Sequence, residues 1–192
     1  WSATEGRNMS RTALLLIDIQ QGLDDTTYWG PRNNPSFERN VAALLEGFRR
    51  AGKPVLHVQH HSVRPTSPLR PGQPGHDFKP EARPLEGEPV FAKTVNSAFI
   101  GTDLEAYLRR EAIARLVVAG LTTDHCVSTT VRMAGNLGFE VWLVGDACAT
   151  FAKKSPEGMI PAEQVHRVHL ASLDGEFCTV IGTQEALERG GS

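Results

Sequence analysis

The 192-residue chain is poor in cysteine and close to electrical neutrality, and it contains no long apolar run. Its three cysteines (Cys126, Cys148 and Cys178) are odd in number and far apart, which argues against a disulfide framework and for a reducing, cytoplasmic setting. No stretch approaches the roughly 20 consecutive apolar residues of a membrane helix, so no membrane partner is expected. A formal charge of −2, with the basic residues scattered, leaves no electrostatic footprint for nucleic acid. A G-x-S-x-G elbow, a G-x-G-x-x-G fingerprint and a P-loop are also missing, which removes the serine-hydrolase, dinucleotide and nucleoside-triphosphate readings.

The length allows one substantial core and is short for two domains, so a single domain is expected. Residues 1–8 (WSATEGRN) lack the apolar stretch of a secretory signal. Met9 directly precedes the first strand pattern, so it is expected to be the native start, with 1–8 an appended remnant and 9–192 the domain.

Short apolar runs recur at 12–19, 54–59, 89–93, 115–120, 140–145 and 177–181, the pattern of strands buried on both faces of a parallel sheet. Between most of them lie helical patterns. Phe37, Val41, Leu44, Leu45 and Phe48 recur at helical spacing, with Asn34 as the expected cap and Gly52 as the stop. A capping box of Thr102 and Glu105 is expected to open a helix through Leu108. Asp124 to Leu137 reads as a helix closed by Gly138. Pro161 opens a helix with Val165, Val168 and Leu173 on one side, and Thr183 caps a terminal helix. The expectation is an α/β fold: a single-domain, Rossmann-like three-layer sandwich with a six-stranded, mainly parallel sheet and helices on both faces. Residues 62–89 carry seven prolines and three glycines without periodicity, so they are expected to form a long surface excursion of functional importance.

In such sheets ligands bind beyond the carboxyl ends of the strands. Three residue types suited to chemistry fall there: Asp18 after the first strand, Lys93 at the end of the third, and Cys126 in the GLTTDHC turn after the fourth. Each alone has an ordinary alternative, as a turn residue, a solvated lysine or a small buried hydrophobe. Cys126 gains weight because a helix start offers unpaired N–H groups that are expected to lower a thiol's pKa. Cys148 and Cys178 lack that setting and read as structural. His125 is adjacent to Cys126, but neighbours on a helix point about 100° apart, so a Cys–His dyad is disfavoured. Trp29, with Tyr28, and Phe99 follow strand ends and could wall an apolar pocket, though ordinary packing explains them as well.

The segments LLLIDIQQG, KTVNSAF and GLTTDHCV, in this order and spacing, resemble the isochorismatase-like cysteine hydrolases, among them nicotinamidases, N-carbamoylsarcosine amidase, and ureidoacrylate, biuret and streptothricin hydrolases. The likeness runs from Thr12 to about Gly182. It implies a triad of Asp18, Lys93 and Cys126, a cis peptide between Leu121 and Thr122, and an oxyanion hole from the N–H groups of Thr122 and Cys126. It further implies hydrolysis of a C–N bond in a small amide, lactam, imide or ureido compound through an acyl-thioester, and self-association as a dimer or tetramer. Nicotinamidases of this family bind a metal through an Asp-x-His pair after the second strand. The matching stretch here is HVQHHS, so no metal or other cofactor is expected, and His60 reads as a polar residue of the substrate pocket. Two alternatives remain: vinyl-ether cleavage of the isochorismatase type, against which Cys126 argues, and a catalytically silent binding or scaffold protein, against which the complete triad argues.

Overall fold

The computed structural model describes residues 11–190; the expected start at Met9 and the expected remnant 1–8 lie outside them. Its elements run β1 (Arg11–Ile17), α1 (Thr26–Trp29), α2 (Phe37–Arg50), β2 (Val55–His60), β3 (Val90–Lys93), α3 (Leu104–Arg110), β4 (Ile113–Leu121), α4 (Ser128–Asn136), β5 (Glu140–Ala149), β6 (Lys153–Ser155), β7 (Gly158–Ile160), α5 (Ala162–Leu173), β8 (Thr179–Ile181) and α6 (Thr183–Gly190). Six strands form one sheet in the order β3-β2-β1-β4-β5-β8, and every pairing in it is parallel. No helix among the described residues is long and apolar enough to cross a membrane.

The side chains of a strand alternate between faces, and β1 shows what that does here. Leu15 and Ile17 join a cluster with Leu104 and Leu108 of α3 and Val131 and Ala134 of α4. Leu14 and Leu16 join a second cluster with Phe37, Val41, Leu44, Leu45 and Phe48 of α2 and Ala186 of α6. Each face of the sheet is thus covered by helices, which is why the central strands are apolar throughout and not alternating. At a typical 25 cal/mol per Å², burying one such leucine contributes about 1.5–3 kcal/mol, offset in large part by lost chain entropy.

The strand order reverses between β1 and β4: the chain first steps outward from β1 to β2 and β3, then returns to the other side of β1. A cleft opens at such a switch point. β1 and β4 approach closely there, because a Cβ on Gly120 would stand 2.1 Å from the carbonyl oxygen of Ile17, and Gly120 itself has φ 138°. Only glycine meets both demands.

Several sequence expectations shift. Asn34 does not cap α2: it has φ 55°, its amide donates to the carbonyls of Asp146 and Cys148, and Ser36 holds the cap position. No capping box forms at α3, where Thr102 Oγ1 instead donates to Ala98 and Glu105 pairs with Arg109. Val168 is 56% exposed, because α5 buries only the stripe of Val165, His166 and Leu173. Cys148 lies within β5, which runs past Gly145, while Cys178 precedes β8. The segment after β5 turns back as the antiparallel hairpin β6–β7, where Lys153 pairs with Ile160.

The excursion 62–89 has only single helical turns at 74–76 and 80–82, yet it is anchored at many points. Leu69 and Ala82 enter the apolar core beside α2, and the Lys79 ammonium, 5% exposed, binds Asp24 at 2.6 Å and Glu38 at 2.5 Å. Arg49 grips Glu88 through two hydrogen bonds of 2.7 and 2.8 Å, and His57 adds a third contact at 2.8 Å.

Candidate active site

Asp18 is the first residue beyond β1. Its backbone lies in the left-handed region (φ 51°), sparsely populated outside glycine, and its amide donates to Val58 at 3.0 Å. This turn directs the carboxylate sideways under the cleft, where only 3% of the side chain is exposed. Lys93 ends β3, and its register partner on β2 is His60. Its Nζ donates to Asp18 Oδ2 at 2.6 Å, to His60 Nδ1 at 3.1 Å and to Cys126 Sγ at 3.3 Å. An ammonium with 0% side-chain exposure persists only with such partners around it.

Cys126 sits in a π-helical turn, Thr123–Val127, that precedes α4, and the amide of Val127 reaches back five residues to the Thr122 carbonyl at 3.2 Å. The Leu121–Thr122 peptide just before it is cis. Two outside contacts hold this turn. Thr123 Oγ1 lies 2.7 Å from His166 Nδ1 on α5, and the buried Asp124 carboxylate accepts from Thr150 Oγ1 and pairs with Lys153 Nζ of β6 at 3.0 Å. His125 Nε2 lies 3.4 Å from the same carboxylate.

The electrostatics depart from expectation at one point. The Cys126 thiol is pushed up, not down: burial dominates, the Asp18 carboxylate adds to it, and Lys93 offsets them only in part. A thiolate therefore forms only if its proton is taken as it reacts. His60 is lowered by burial and by the Lys93 ammonium, so it is neutral near pH 7 and able to accept from Lys93. Burial lowers His125 as well. Cys148 and Cys178 are both pushed up to about 12, chiefly by burial, in keeping with a structural reading.

Asp18 and Cys126 lie on the wall of an open cavity of about 570 Å³. Asp18, Cys126, His60, Leu121, Thr122, Trp29 and Tyr28 all border it. Trp29 stacks on Phe151 at 5.5 Å between centroids and donates from Nε1 to the Gly22 carbonyl, which fixes its ring as a wall. Phe99 does not border the cavity. It is 9% exposed and stacks on Phe139 in the core beneath α3, because the turn after β3 carries it under the sheet edge. Several contributors carried no local signal in the sequence. Gln20 is fully buried, donates to the carbonyls of His60 and His76, and accepts from the His60 amide, tying the excursion to the Asp18 turn. Arg64 and Asn96 also border the cavity.

Among the described residues, Asp18, His60 and Cys126 are the one group whose ligand-type atoms converge, all within 4.8 Å of one another. The donor types would suit a divalent cation, but the Lys93 ammonium already bonds to all three, so the position is held by a built-in positive charge. The residues do not fit a metal.

The sequence profile described as the isochorismatase domain matches residues 12–185. An isochorismatase family protein of Bacillus subtilis is 41% identical over 92% of this chain and 95% of its own length. A streptothricin hydrolase of Streptomyces noursei is 32% identical over 72% of this chain and 50% of its own. Among solved structures, a protein of the isochorismatase family from Chromobacterium violaceum superimposes with a TM-score of 0.91 at 52% identity, covering 96% of this chain and 95% of that one.

Proposed function

We propose, for a chain that belongs to the isochorismatase family of hydrolases, that it cleaves a C–N bond of a small amide, lactam, imide or ureido compound through an acyl-thioester on Cys126. The observation that carries this reading is the meeting of a thiol and a carboxylate around one buried ammonium at the edge of a cavity.

The steps follow from the chemistry of the groups. Asp18 takes the Cys126 proton as sulfur attacks the carbonyl carbon, which suits a thiol that is protonated at rest. The N–H groups of Thr122 and Cys126, beside the attacking sulfur, are assigned to the oxygen that gains charge. As the C–N bond breaks, protonated Asp18 gives its proton to the departing nitrogen. Water, deprotonated by Asp18, then attacks the thioester; the C–S bond breaks, the acid leaves and the thiol is restored. Lys93 fixes Asp18 in place and offsets the negative charge that passes between oxygen and sulfur.

Intact-protein mass spectrometry during turnover of a panel of small amides, lactams and ureido compounds tests this. The expected result is an acyl adduct on Cys126, and complete loss of turnover in Cys126→Ala with folding preserved. An adduct on Cys148 or Cys178, or full activity in Cys126→Ala, overturns it.

A further inference from the structure

The turn Thr123–Val127 has two sides. Thr122, His125 and Cys126 border the cavity, whereas Thr123 does not reach it and is fully buried. Inside the turn, the amides of His125 and Val127 both donate to the Thr122 carbonyl, at 3.1 and 3.2 Å. A π-helical turn is a wide and uncommon conformation, so its shape depends on what grips it from outside. One grip is made at Asp124, by Thr150 and the partly exposed Lys153. The other is made at Thr123 by His166 of α5 and is closed to water: both residues are buried, and Oγ1 lies 2.7 Å from Nδ1.

The direction of that bond follows from where the protons can go. Burial lowers the pKa of His166, so its ring is neutral near pH 7, with one nitrogen carrying a proton and the other accepting. Among the described residues the Thr123 hydroxyl meets no acceptor but Nδ1, and donating to it keeps a buried O–H from being orphaned. Nε2 then holds the ring proton, which suits the hydrogen bond that the Gly145 backbone offers to the ring. His166 thus joins β5, where Gly145 lies, to the residue that opens the turn of Cys126.

Resting on the hydrolytic reading above, we infer that His166 is a positioning residue, which through Thr123 sets where the Cys126 thiol and the N–H groups of Thr122 and Cys126 stand relative to the substrate carbonyl. It touches neither the substrate nor the reacting atoms. A tilt at Thr123 is passed along the turn to Cys126, and a misplacement of about 1 Å at a reacting centre costs on the order of 100-fold in rate. The two partners are 43 residues apart, so no local pattern links them.

Thr123→Val removes the hydroxyl and nearly conserves volume, and His166→Leu removes the acceptor. On an amide that the parent protein hydrolyses, well below every unfolding midpoint, each should lower kcat by about 10- to 100-fold with KM within about 3-fold of the parent. The double variant should lose no more than either single one, since both break the same bond. Thr123→Ser, and His166→Asn with its Oδ1 in the place of Nδ1, should recover most of the loss. Alkylation of Cys126 by iodoacetamide, read by intact-protein mass spectrometry, needs no substrate. It should slow by about 10-fold in Thr123→Val and in His166→Leu, because the thiol then stands away from its base, Asp18. A bond that only holds the fold would lower the unfolding midpoint and leave kcat and the alkylation rate of the folded protein unchanged. That result, losses that multiply in the double variant, or no recovery in either Thr123→Ser or His166→Asn overturns the inference. Should His166→Leu not fold, Thr123→Val and Thr123→Ser decide it alone. Turnover by Cys126→Ala would instead bring down the hydrolytic reading, while the alkylation rates would still judge the positioning.

Discussion

At and just beneath the floor of the cavity, Asp18 and Lys93 expose 3% and 0% of their side chains and meet at 2.6 Å, whereas at the rim Val63 is 74% exposed and the Arg64 guanidinium makes no hydrogen bond or ion pair among the described residues. The two regions carry charge in opposite ways. On the floor each ionised group depends on the other, because either one alone would be a buried, uncompensated charge costing several kcal/mol. On the rim water solvates whatever stands there, so a side chain can be exchanged without disturbing the fold. On the proposed reading, reaction chemistry is fixed by strand ends in the sheet, and substrate choice is left to a loop that can vary. The excursion 62–89 stands between these regimes: its first residues border the cavity, while Lys79 and Glu88 tie its later part to α2 and its surroundings.

The strongest way to break this contrast is at the floor. Lys93→Ala strands the Asp18 carboxylate, and the expected loss of folding stability is about 3–5 kcal/mol, read from the denaturant midpoint. Turnover should fall by at least about 100-fold, since Asp18 then loses both its orientation and its partner. Asp18→Asn separates the two effects. The amide keeps the volume of the carboxylate, yet it cannot take the thiol proton, so activity should fall by about 100- to 10,000-fold in steady-state assays. An active Asp18→Asn protein would mean that another group serves as the base.

The next effect down concerns the tether of the excursion. Burial would raise the pKa of Glu88, but Arg49, the Leu85 amide and His57 together bring it down to about 2. A carboxylate with a depressed folded-state pKa contributes stability that is fully present above its ordinary value of 4.5 and is lost as pH falls toward 2. Glu88→Gln should therefore cost about 1–2 kcal/mol at pH 7, a figure discounted for solvent screening, and the difference from the parent protein should shrink as pH falls from 4.5 to 2. Urea unfolding across that range measures it. A gap that stays constant with pH would show that the carboxylate's charge is not what holds the tether.

The same division decides what could be read from the chain. The six strands and the helices that cover them were legible because apolar periodicity records burial directly, as in Leu14 to Ile17 on β1 and Phe37 to Phe48 on α2. The positions of Asp18, Lys93 and Cys126 at strand ends were legible too, because parallel strands present their carboxyl ends along one edge. Local capping was read less well. Asn34 has the chemistry of a cap, but the carbonyls of Asp146 and Cys148, more than a hundred residues away, claim its amide. The thiol's pKa was misread for a related reason: a helix start is visible in the sequence, while the burial that outweighs it is set by tertiary packing. Phe99 and Arg64 exchange the roles that their types suggest, the aromatic lying in the core and the charged side chain on the cavity. Nothing local distinguishes them, since both follow strand ends in irregular chain.

The smallest effect is expected where the rim is most exposed. Val63 borders the cavity with 74% of its surface in water, so replacing it with serine removes little buried apolar area and leaves no cavity behind. The unfolding free energy should change by no more than about 0.5 kcal/mol, which is ordinary for surface substitutions away from caps and charges. Its adjacent residues sharpen the point. Ser62 is buried and accepts from the Arg64 amide, so Ser62→Val should disturb the loop, although it lies one position away from Val63. Thermal unfolding of the two single variants compares them. Val63→Ser should leave the midpoint close to the parent, while Ser62→Val should lower it, since the Arg64 amide then loses its acceptor. If Val63→Ser proved as damaging as Ser62→Val, the rim would be packed against something that its exposure does not reveal, and its independence from the floor would fail.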